Sequence, residues 1–434
     1  MPWLFLLVSL VGAWFTYNAY RPAYAPMRWA AVSFMAGWLT TELALHHIAW
    51  QLGISVLFIW GGALASWPGQ LGLLISLGSW VALWRCYWGA REAEGLMEGA
   101  LQNGLGAAYP EQIDPKIAEK FAPVVDWRQL LLPFYMRHPE VERIRNIPYT
   151  RAGGLTLKLD VYRHRGKPER APALLQIHGG AWILGSKNEQ GVPLMLQMAA
   201  RGWVCFSVDY RLSPRATFPD HIVDVKRAIE WIRAHADEYG VDPEFIAVTG
   251  GSAGGHLAAL TALSANDPIF QPGFESVDTK VNACVPFYGV YDFTDRNNVY
   301  RNPGLIRLLE SRVMKASRKE APDAYHRASP LSRVHTDAPP FCIIHGDLDS
   351  LVPVDEARRF ADALRAVSTS PVVYAEIHGA QHAFEIFPSL RTTFVIHGVE
   401  RFLAYCYSRY LAATAEKTRT ADAEVPVAEE RMAG

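Results

Sequence analysis

The chain has 434 residues, a formal net charge of -1 at pH 7 and a hydrophobic share of 50%. Because this length exceeds that of a typical single domain, it predicts a second structural unit beside one sizeable globular core. The charge balance, with no basic stripe interleaved with aromatic residues, excludes nucleic acid as a partner.

The first 88 residues have the composition of a membrane region. They contain ten of the fourteen tryptophans and only four charged side chains, which are Arg21, Arg28, Glu42 and Arg85. Tryptophans near the ends of apolar segments resemble the aromatic belts of membrane–water interfaces. We therefore expect a transmembrane helical region over 1–88, with a buried bundle of soluble helices as the alternative.

Four apolar stretches follow one another in this region, each near the ~20 residues that an α-helix needs to cross the hydrocarbon core. They cover residues 2–18, 28–47, 50–67 and 70–88. The second is the weakest because Glu42, His46 and His47 fall within it, so we predict three to four membrane helices. A signal peptide is a competing interpretation of residues 1–25, but no basic residue precedes that apolar run.

The arginines beside these stretches give conflicting signals about orientation. Arg21 and Arg28 lie in the first loop and place it on the cytoplasmic side, so four crossings would leave the rest of the chain outside. Arg85 and Arg91, at the end of the last stretch and after it, indicate the opposite side. We expect a multi-pass membrane location with the C-terminal domain on the extracytoplasmic side, and the number of crossings stays open.

The remainder of the chain divides into a connector, an α/β domain and a tail. Residues 89–145 form a charged, partly helical connector, interpreted as a linker that packs on the following domain. From 146 to 411 short β-branched or aromatic runs alternate with helical stretches, which predicts βαβ units and a largely parallel sheet. The segment 412–434 is polar with alternating charge, and we expect a disordered tail.

Seven strands are predicted in the α/β domain. They cover residues 155–162, 173–178, 203–208, 245–249, 283–288, 341–345 and 372–377. Apolar residues recur at helical spacing between the third and fourth strands, at Ile222, Val225, Ile229 and Ile232. This spacing predicts a helix with one apolar face on the sheet.

Nothing in the chain calls for a metal or another cofactor. The five cysteines are scattered singly, mostly with apolar neighbours, and are expected to be buried free thiols. The histidines show no H-E-x-x-H or similar ligand spacing. We therefore predict a protein without a cofactor.

A candidate nucleophile, Ser252, lies at the centre of the run G-G-S-A-G at 250–254, which follows the predicted strand 245–249 and precedes a helical pattern. A serine on a sharp strand-to-helix turn occupies a strained backbone position, so small residues are needed two before and two after it. Its hydroxyl would project toward a substrate near the positive end of the following helix. The pentapeptide alone is a weak signal, because a glycine-rich turn after a strand also suits a phosphate.

A second glycine-rich loop, H-G-G-A-W, begins at His178 and precedes the serine in the chain. Acyl transfer passes through a tetrahedral oxyanion, which backbone N–H groups fixed in such a loop can bind without reorganising during the reaction. The candidate oxyanion-hole residues are Gly179, Gly180, Ala181 and Ala253. A nucleotide site would instead require a lysine or a ribose-binding acid at set spacing, and the motif G-K-[ST] is absent.

From about 145 to 410 the chain resembles the hormone-sensitive-lipase-like branch of the α/β-hydrolase esterases, which carry an H-G-G-[GA]-W loop and a G-x-S-x-G turn. The stretch D-Y-R-L-S-P at 209–214, followed by Phe218 and Pro219, also matches this branch. The N-terminal apolar segments are similar to those on some mycobacterial-type lipases and esterases of the group. The resemblance implies an α/β-hydrolase fold, with a mostly parallel central sheet and helices on both faces, and a serine esterase activity.

The chain order of the fold's triad, serine then acid then histidine, places the other two members after Ser252. The loop after the sixth predicted strand is similar to the family's H-G-x-x-D-x-x-V-P, in which Asp349 takes the place of the acid; Asp347 is the alternative. After the seventh strand, His382 takes the place of the family's histidine before Ala-Phe, with His378 as the alternative.

Other polar residues near these motifs have structural interpretations. Asp209 and Arg211, a charged pair at a strand end, are expected to brace a loop. His178 is expected to bond the backbone and shape the glycine-rich loop, and His256, on the helix after the serine, to be packed. The charged segment 292–333 could form a cap over the acyl site, since such loops often set substrate choice.

These features predict a membrane-anchored serine carboxylesterase or lipase that hydrolyses short- to medium-chain acyl or acetyl esters of small molecules or lipids. In the expected mechanism Ser252 attacks the acyl carbon, His382 transfers the proton and Asp349 orients the imidazole. Two alternatives stay open: a serine hydrolase of amide or peptide bonds on the same fold, and a catalytically inactive membrane-tethered binding protein. The oligomeric state is also open.

Overall fold

The computed structural model describes residues 1–121, 125–300 and 303–424, the side chains of the last four excepted. Its strands are β1 (Val141–Ala152), β2 (Leu155–His164), β3 (Ala171–Ile177), β4 (Val204–Val208), β5 (Val241–Gly251), β6 (Ala283–Phe287), β7 (Phe341–Gly346) and β8 (Val372–Ile377). Its α-helices are α1 (Pro2–Tyr20), α2 (Met27–Glu42), α3 (Ala44–Trp60), α4 (Trp67–Gly89), α5 (Glu92–Leu105), α6 (Pro115–Ala118), α7 (Trp127–Leu131), α8 (Val192–Ala200), α9 (Asp220–Ala234), α10 (Ala236–Tyr239), α11 (Ala253–Ala262), α12 (Gly304–Leu308), α13 (Pro322–Ala328), α14 (Asp355–Val367) and α15 (Leu390–Glu424). Short 3-10 or π segments lie at Ala63–Ala65, Tyr109–Gln112, Pro268–Phe270, Leu309–Val313, Pro330–Arg333 and Phe384–Ile386.

The strands form one sheet in the order β1-β2-β4-β3-β5-β6-β7-β8. β2 is antiparallel to both β1 and β4, and the neighbours from β4 to β8 are all parallel. This arrangement confirms the predicted largely parallel sheet, and the seven predicted strands are all present. Because parallel strands end at the same edge, the loops after β3, β5, β7 and β8 meet there.

Strand β1 is the element that the sequence pattern does not reveal. Its sequence contains Pro148 and several charged residues, and only Val141 and Tyr149 are buried. It lies at the edge of the sheet, where a proline is tolerated because one side of the strand makes no ladder hydrogen bonds. The α/β domain therefore begins at residue 141, ahead of the predicted boundary at 146.

Two layers of helices cover the two faces of the sheet. Strand β3 is buried along its whole length, and its adjacent residues Leu174 and Leu175 enter opposite hydrophobic cores. Leu175 packs with residues of α9, α11 and α14, whereas Leu174 packs with residues of α5, α8 and α15. The four residues predicted to form the apolar face of α9 all lie in the first of these cores: Ile222, Val225, Ile229 and Ile232.

The cysteines are all free thiols, as predicted. Cys205, Cys284, Cys342 and Cys406 are buried, whereas Cys86, in α4, is only partly buried. Burial raises the pKa of the Cys205 thiol, so this side chain behaves as a small apolar group of the core.

The connector packs on the α/β domain, as predicted. Helix α5 lies against β8, where an added Cβ at Gly104 would be 2.7 Å from a side-chain carbon of Val373. An added Cβ at Gly398 of α15 would likewise clash with the side chain of Met97 in α5. Residues 122–124 of the connector lie outside the described residues.

The N-terminal region consists of α1 to α4, with the hydroxyl oxygens of Thr16 and Ser79 only 2.6 Å apart in its interior. By length and composition, one helix in the described part of the chain, α1, could cross a membrane, or two if the bent pair of α2 and α3 counts as one span. The predicted stretch 28–47 is not one helix, because the chain bends by 95° between α2 and α3. The number of crossings therefore stays a prediction.

The predicted disordered tail is wrong for residues 412–424, which continue α15. Alanine, glutamate, lysine and arginine are strong helix formers, so the exposed helix can extend without burying apolar surface. Within it, the hydroxyls of Thr414 and Thr418 donate to carbonyls one turn earlier. Residues 425–434 lie outside the described residues.

Candidate active site

Ser252 lies at the turn between β5 and α11, where its backbone has φ 58° and ψ −119°. A residue other than glycine rarely adopts a positive φ, and such strain is concentrated at functional sites. The turn can close because Gly254 has no side chain: an added Cβ would lie 2.0 Å from the carbonyl oxygen of Ile177 in β3. The N–H of Ser252 donates to the carbonyl oxygen of Phe287 (3.0 Å), which ties the turn to the end of β6.

The loop after β3 presents backbone N–H groups next to this turn. Its residues Gly180, Ala181 and Trp182 all have positive φ. The N–H of Gly179 donates to Oε1 of Gln190 (2.6 Å) and is not free for a substrate oxygen. Among the described residues, none accepts from the N–H of Gly180, Ala181 or Ala253. Of the four candidate oxyanion-hole residues, Gly179 is therefore the one whose N–H already has an acceptor in the described part of the chain.

His178 supports the glycine-rich loop, as expected from the sequence. Its Nδ1 lies 2.7 Å from the carbonyl oxygen of Gly179, and its ring stacks on Tyr210 with centroids 4.3 Å apart. The Tyr210 hydroxyl donates in turn to the carbonyl oxygen of His178 (3.0 Å). Burial lowers the pKa of His178, which favours the neutral imidazole that this packing requires.

His256 is packed beneath the same loop, as expected. The indole N–H of Trp182 donates to its Nδ1 (3.2 Å), and its Nε2 donates to the carbonyl oxygen of Ala328 (2.8 Å). Phe293 stacks on the ring with centroids 4.4 Å apart. Burial lowers the pKa of His256 to about 3, so it stays neutral and holds Trp182 in place.

Asp349 and His382 meet in the loops after β7 and β8. Nδ1 of His382 lies 2.6 Å from Oδ2 of Asp349, and both side chains are buried. The other oxygen of Asp349 accepts from the N–H groups of Leu351 (2.9 Å) and Val352 (2.8 Å). His345, whose Nε2 lies 3.2 Å from Oδ2, adds a further contact.

This set of contacts keeps Asp349 ionised. Burial alone would raise the pKa of the carboxyl, but the charge of His382 and the hydrogen bonds from His345 and His382 outweigh it. The pKa therefore lies well below its usual range. A buried carboxylate with partners on both oxygens can hold the imidazole in one tautomer and one orientation.

Gln381 joins the two loops and was not among the predicted site residues. Its side-chain oxygen accepts from the N–H of Ser350 (2.7 Å), beside the acid, and from the N–H of His382 (2.9 Å). A glutamine directly before the candidate histidine is the only sequence signal for this role. The relative position of Asp349 and His382 is therefore fixed by the backbone hydrogen bonds to Gln381 as well as by the contact between the two side chains.

The two alternatives, Asp347 and His378, also contact each other. Nδ1 of His378 lies 2.8 Å from Oδ2 of Asp347, whose other oxygen accepts from the N–H of Gly379 (2.8 Å). The His378 side chain is 69% exposed, whereas that of His382 is 7% exposed. Asp347 therefore closes a surface turn, the structural role that the sequence left open for it.

Tyr288 links the histidine to the serine turn. Its ring centroid lies 4.5 Å from that of His382, and an added Cβ at Gly251, next to Ser252, would lie 2.6 Å from its hydroxyl oxygen. The Tyr288 hydroxyl donates to Oε2 of the buried Glu385. Burial raises the pKa of Glu385 to about 7. Neither residue belongs to a recognised motif, and only the folded chain places them here.

Asp209 and Arg211 brace loops, as predicted, although not by pairing with each other. Arg211 binds Asp224 of α9 through two parallel hydrogen bonds of 2.8 Å. Asp209 accepts from the N–H of Lys187 (2.9 Å).

The segment 292–333 approaches the acid loop from the side. Tyr300 and Leu305 of this segment line a cavity of about 250 Å³ together with Asp349. Tyr24 and Met27 of the N-terminal region line the same cavity. The predicted cap and the N-terminal helices therefore converge beside the candidate site, and residues 301–302 lie outside the described residues.

Taken together, the geometry suits nucleophilic acyl transfer: a strained serine, a buried histidine–carboxylate pair and unoccupied backbone donors at one edge of the sheet. Among the described residues, no group of three or more histidine, cysteine, aspartate or glutamate side chains could hold a metal ion.

Several known proteins are similar to this chain in sequence or in fold. A family model described as BD-FAE matches residues 159–364. LipM of Mycobacterium tuberculosis, a probable carboxylic ester hydrolase, is 42% identical over 417 residues, which cover 93% of each chain. Esterase LipQ of the same organism is also 42% identical, over 75% of this chain and 78% of LipQ.

A solved structure is similar in the α/β domain. The propionate-bound esterase 2 of Thermogutta terrifontis has 28% sequence identity and a TM-score of 0.51, and the match covers 63% of this chain and 95% of that esterase. On the strength of the match to LipM along nearly its whole length, the chain belongs to the hormone-sensitive-lipase-like family of α/β-hydrolase esterases and is a carboxylic ester hydrolase.

Proposed function

We propose that the chain is a membrane-anchored serine esterase that cleaves short- to medium-chain acyl or acetyl esters with the triad Ser252, His382 and Asp349. Two observations carry the proposal: the buried 2.6 Å contact between His382 and Asp349, and the positive φ of Ser252 at the turn between β5 and α11. A serine hydroxyl is a weak nucleophile unless an oriented base removes its proton.

In the proposed acylation step the Ser252 oxygen attacks the acyl carbon while His382 takes its proton. The negative charge that develops on the carbonyl oxygen is bound by the N–H groups of Gly180, Ala181 and Ala253. The ester C–O bond then breaks, and the leaving alcohol oxygen receives the proton from His382. Asp349 stabilises the imidazolium that forms between these two transfers.

In deacylation a water molecule takes the place of the alcohol. It loses a proton to His382 and attacks the acyl carbon, and the proton then returns to the Ser252 oxygen as the acid is released. The same donors bind the second oxyanion, so one arrangement serves both steps.

The substrate class rests on the relatives. LipM and LipQ are named as a carboxylic ester hydrolase and an esterase, and the Thermogutta terrifontis structure holds propionate, a short-chain acid. These names support acyl esters over the amide or peptide bonds that the same triad could attack.

We extend the proposal to the membrane: the N-terminal region anchors the domain through its apolar helices. Leu7, Trp60, Leu74 and Val81, on α1, α3 and α4, are all exposed apolar side chains that a lipid phase would cover. Protease protection in sealed vesicles would report the side of the catalytic domain, and protection from added protease on the extracytoplasmic face would contradict the expected orientation.

The nucleophile is tested with the full chain in detergent. Ser252→Ala is expected to lower kcat at least ~10⁴-fold on nitrophenyl esters and to abolish labelling by a fluorophosphonate probe. Ser311→Ala, at an exposed serine of the segment 292–333, is the matched control and should keep both ester turnover and probe labelling. Undiminished turnover in Ser252→Ala would rule out this nucleophile.

A second assay addresses the type of bond. Nitrophenyl esters from acetyl to lauroyl are compared with aminoacyl anilides of matched leaving group. Activity on the anilides alone would exclude the esterase mechanism. An intact fold in which the probe does not label Ser252 would support the inactive binding protein instead.

A further inference from the structure

Three residues on one face of α2 contact the segment that carries the candidate histidine. Phe34, Trp38 and Glu42 are spaced four residues apart, which places them above one another on the same side of the helix. The segment they contact runs from His382 to Arg391, after β8.

The first two contacts involve the histidine and the residue that follows it. The Phe34 ring packs edge-on against the imidazole of His382, with centroids 6.1 Å apart and planes at 75°. The indole N–H of Trp38 donates to the carbonyl oxygen of Ala383 (2.7 Å). Ala383 has a φ of 62°, a strained value for alanine, so this hydrogen bond holds the backbone at a position that would otherwise relax.

Further along the same face the contacts continue in chain order. The Trp38 ring lies 5.7 Å from that of Phe387, and Glu42 forms an ion pair with Arg391. The Ser389 hydroxyl also donates to Glu42 (2.7 Å). Helix α2 therefore lies along the whole segment from the histidine to the start of α15.

The charge of Glu42 indicates that this docking is specific. Its side chain is 1% exposed and that of Arg391 is 2% exposed. A buried charge is costly unless it is paired and hydrogen-bonded, and both conditions are met here by residues of the α/β domain. An N-terminal region that served only as an anchor would not require a buried carboxylate paired with the α/β domain.

From these contacts we propose that α2 is part of the active site: Trp38 and Phe34 are positioning residues that hold the His382 loop in its working conformation. The inference rests on the proposed function, because it assumes that His382 is the base. It assigns a catalytic task to a region that composition marks only as a membrane anchor.

The test uses the full chain in detergent and removes one contact at a time. Trp38→Phe keeps an aromatic ring, although a smaller one, and deletes the N–H donor. Its matched control is Trp29→Phe, at an exposed tryptophan of the same helix. Because a small misplacement of a catalytic group is costly, we expect kcat and the rate of fluorophosphonate labelling to fall ~10-fold or more, with KM within ~2-fold and the unfolding temperature unchanged.

Substitutions at Phe34 provide an independent test of the positioning role. Phe34→Ala should lower kcat and the labelling rate in the same way, and Phe34→Leu, which keeps most of the apolar volume, should recover most of the loss. The control is Met35→Ala, at an exposed neighbour in sequence. If Trp38→Phe does not fold, this series carries the test alone.

The outcomes separate the two proposals. If the wild-type chain labels at Ser252 but Trp38→Phe and Phe34→Ala both label and turn over within ~2-fold of it, α2 is no part of the site and the triad stands. If the wild-type chain does not label at Ser252 at all, the proposed function fails first. A loss in both arms with intact controls supports the positioning role.

Discussion

The imidazole of His378 and the carboxylate of Asp347 lie 2.8 Å apart at the surface, in the same two loops that hold the buried pair of His382 and Asp349. The two contacts are nearly equivalent in sequence: each acid follows β7 and each histidine follows β8. They differ in environment, because only the inner pair is removed from water and packed against Tyr288.

This difference predicts unequal effects of two conservative substitutions. Asp349→Asn should lower kcat about 10⁴-fold, since an amide favours the wrong tautomer of the histidine. Asp347→Asn should change kcat by less than ~5-fold, because its partner is exposed and it only closes a turn. Steady-state kinetics on a nitrophenyl ester measures both. Equal losses in the two variants would mean that the assignment of the acid is wrong.

The serine turn predicts a steric limit at Gly254. Its added Cβ would lie 2.0 Å and 2.7 Å from the backbone oxygens of Ile177 and His178, which cannot move without separating β3 from α11. Gly254→Ala is therefore expected to destabilise the fold by about 3 kcal/mol or more. Gly95→Ala is the control, because an added Cβ in α5 meets nothing within 4 Å and should stabilise the helix by ~1 kcal/mol. Denaturant unfolding measures both changes.

Glu385 predicts a pH dependence of stability. Burial raises its folded-state pKa from 4.5 to about 7, so its contribution is fully present below pH 4.5 and is lost as the pH rises through 7. The loss amounts to ~3 kcal/mol. Glu385→Gln removes the titration, so its stability should fall less than that of the wild-type chain between pH 5 and 8.

Unfolding curves at several pH values test this prediction, with Glu111→Gln, at an exposed glutamate, as the control. The control should follow the wild-type profile. Parallel profiles for Glu385→Gln and the wild-type chain would show that Glu385 does not titrate in this range.

The buried ion pair of Glu42 and Arg391 predicts a strongly non-additive pair of substitutions. Arg391→Met leaves the carboxylate without its cation and should cost ~3–5 kcal/mol of stability. Replacing both residues, as Glu42→Leu with Arg391→Met, should recover most of that cost because no unpaired charge remains. A double-mutant cycle in detergent measures the coupling, and additive effects would contradict the pairing.

Much of the fold could be predicted from the chain because its signals are local. A buried strand, a tight glycine turn and a helix follow one another around Ser252, and the structure contains the same three elements in that order. Strand β1 was not predicted because this edge strand contains charged residues and a proline. The helix through 412–424 was not predicted because a polar helix has no apolar face that periodicity could detect.

The site was predicted only in part. The sequence led to Ser252, and the family resemblance favoured Asp349 and His382 over Asp347 and His378. The difference in burial between the two histidines could not be predicted, since burial is not a property of neighbouring residues in the chain. The role of Gln381 was not predicted, because this side chain joins two loops that meet only in the folded chain.

The N-terminal region shows most clearly what the sequence alone can predict and what only tertiary packing decides. Its apolar composition predicted a membrane region, and Glu42 was one of only four charged residues there. The partner of Glu42 is Arg391, which lies 349 residues further along the chain and reaches Glu42 only when α2 packs on the α/β domain. Periodicity within a segment can identify a helix, whereas the pairing of two buried charges from distant segments is decided by tertiary packing, because neither charge is tolerated in the interior alone.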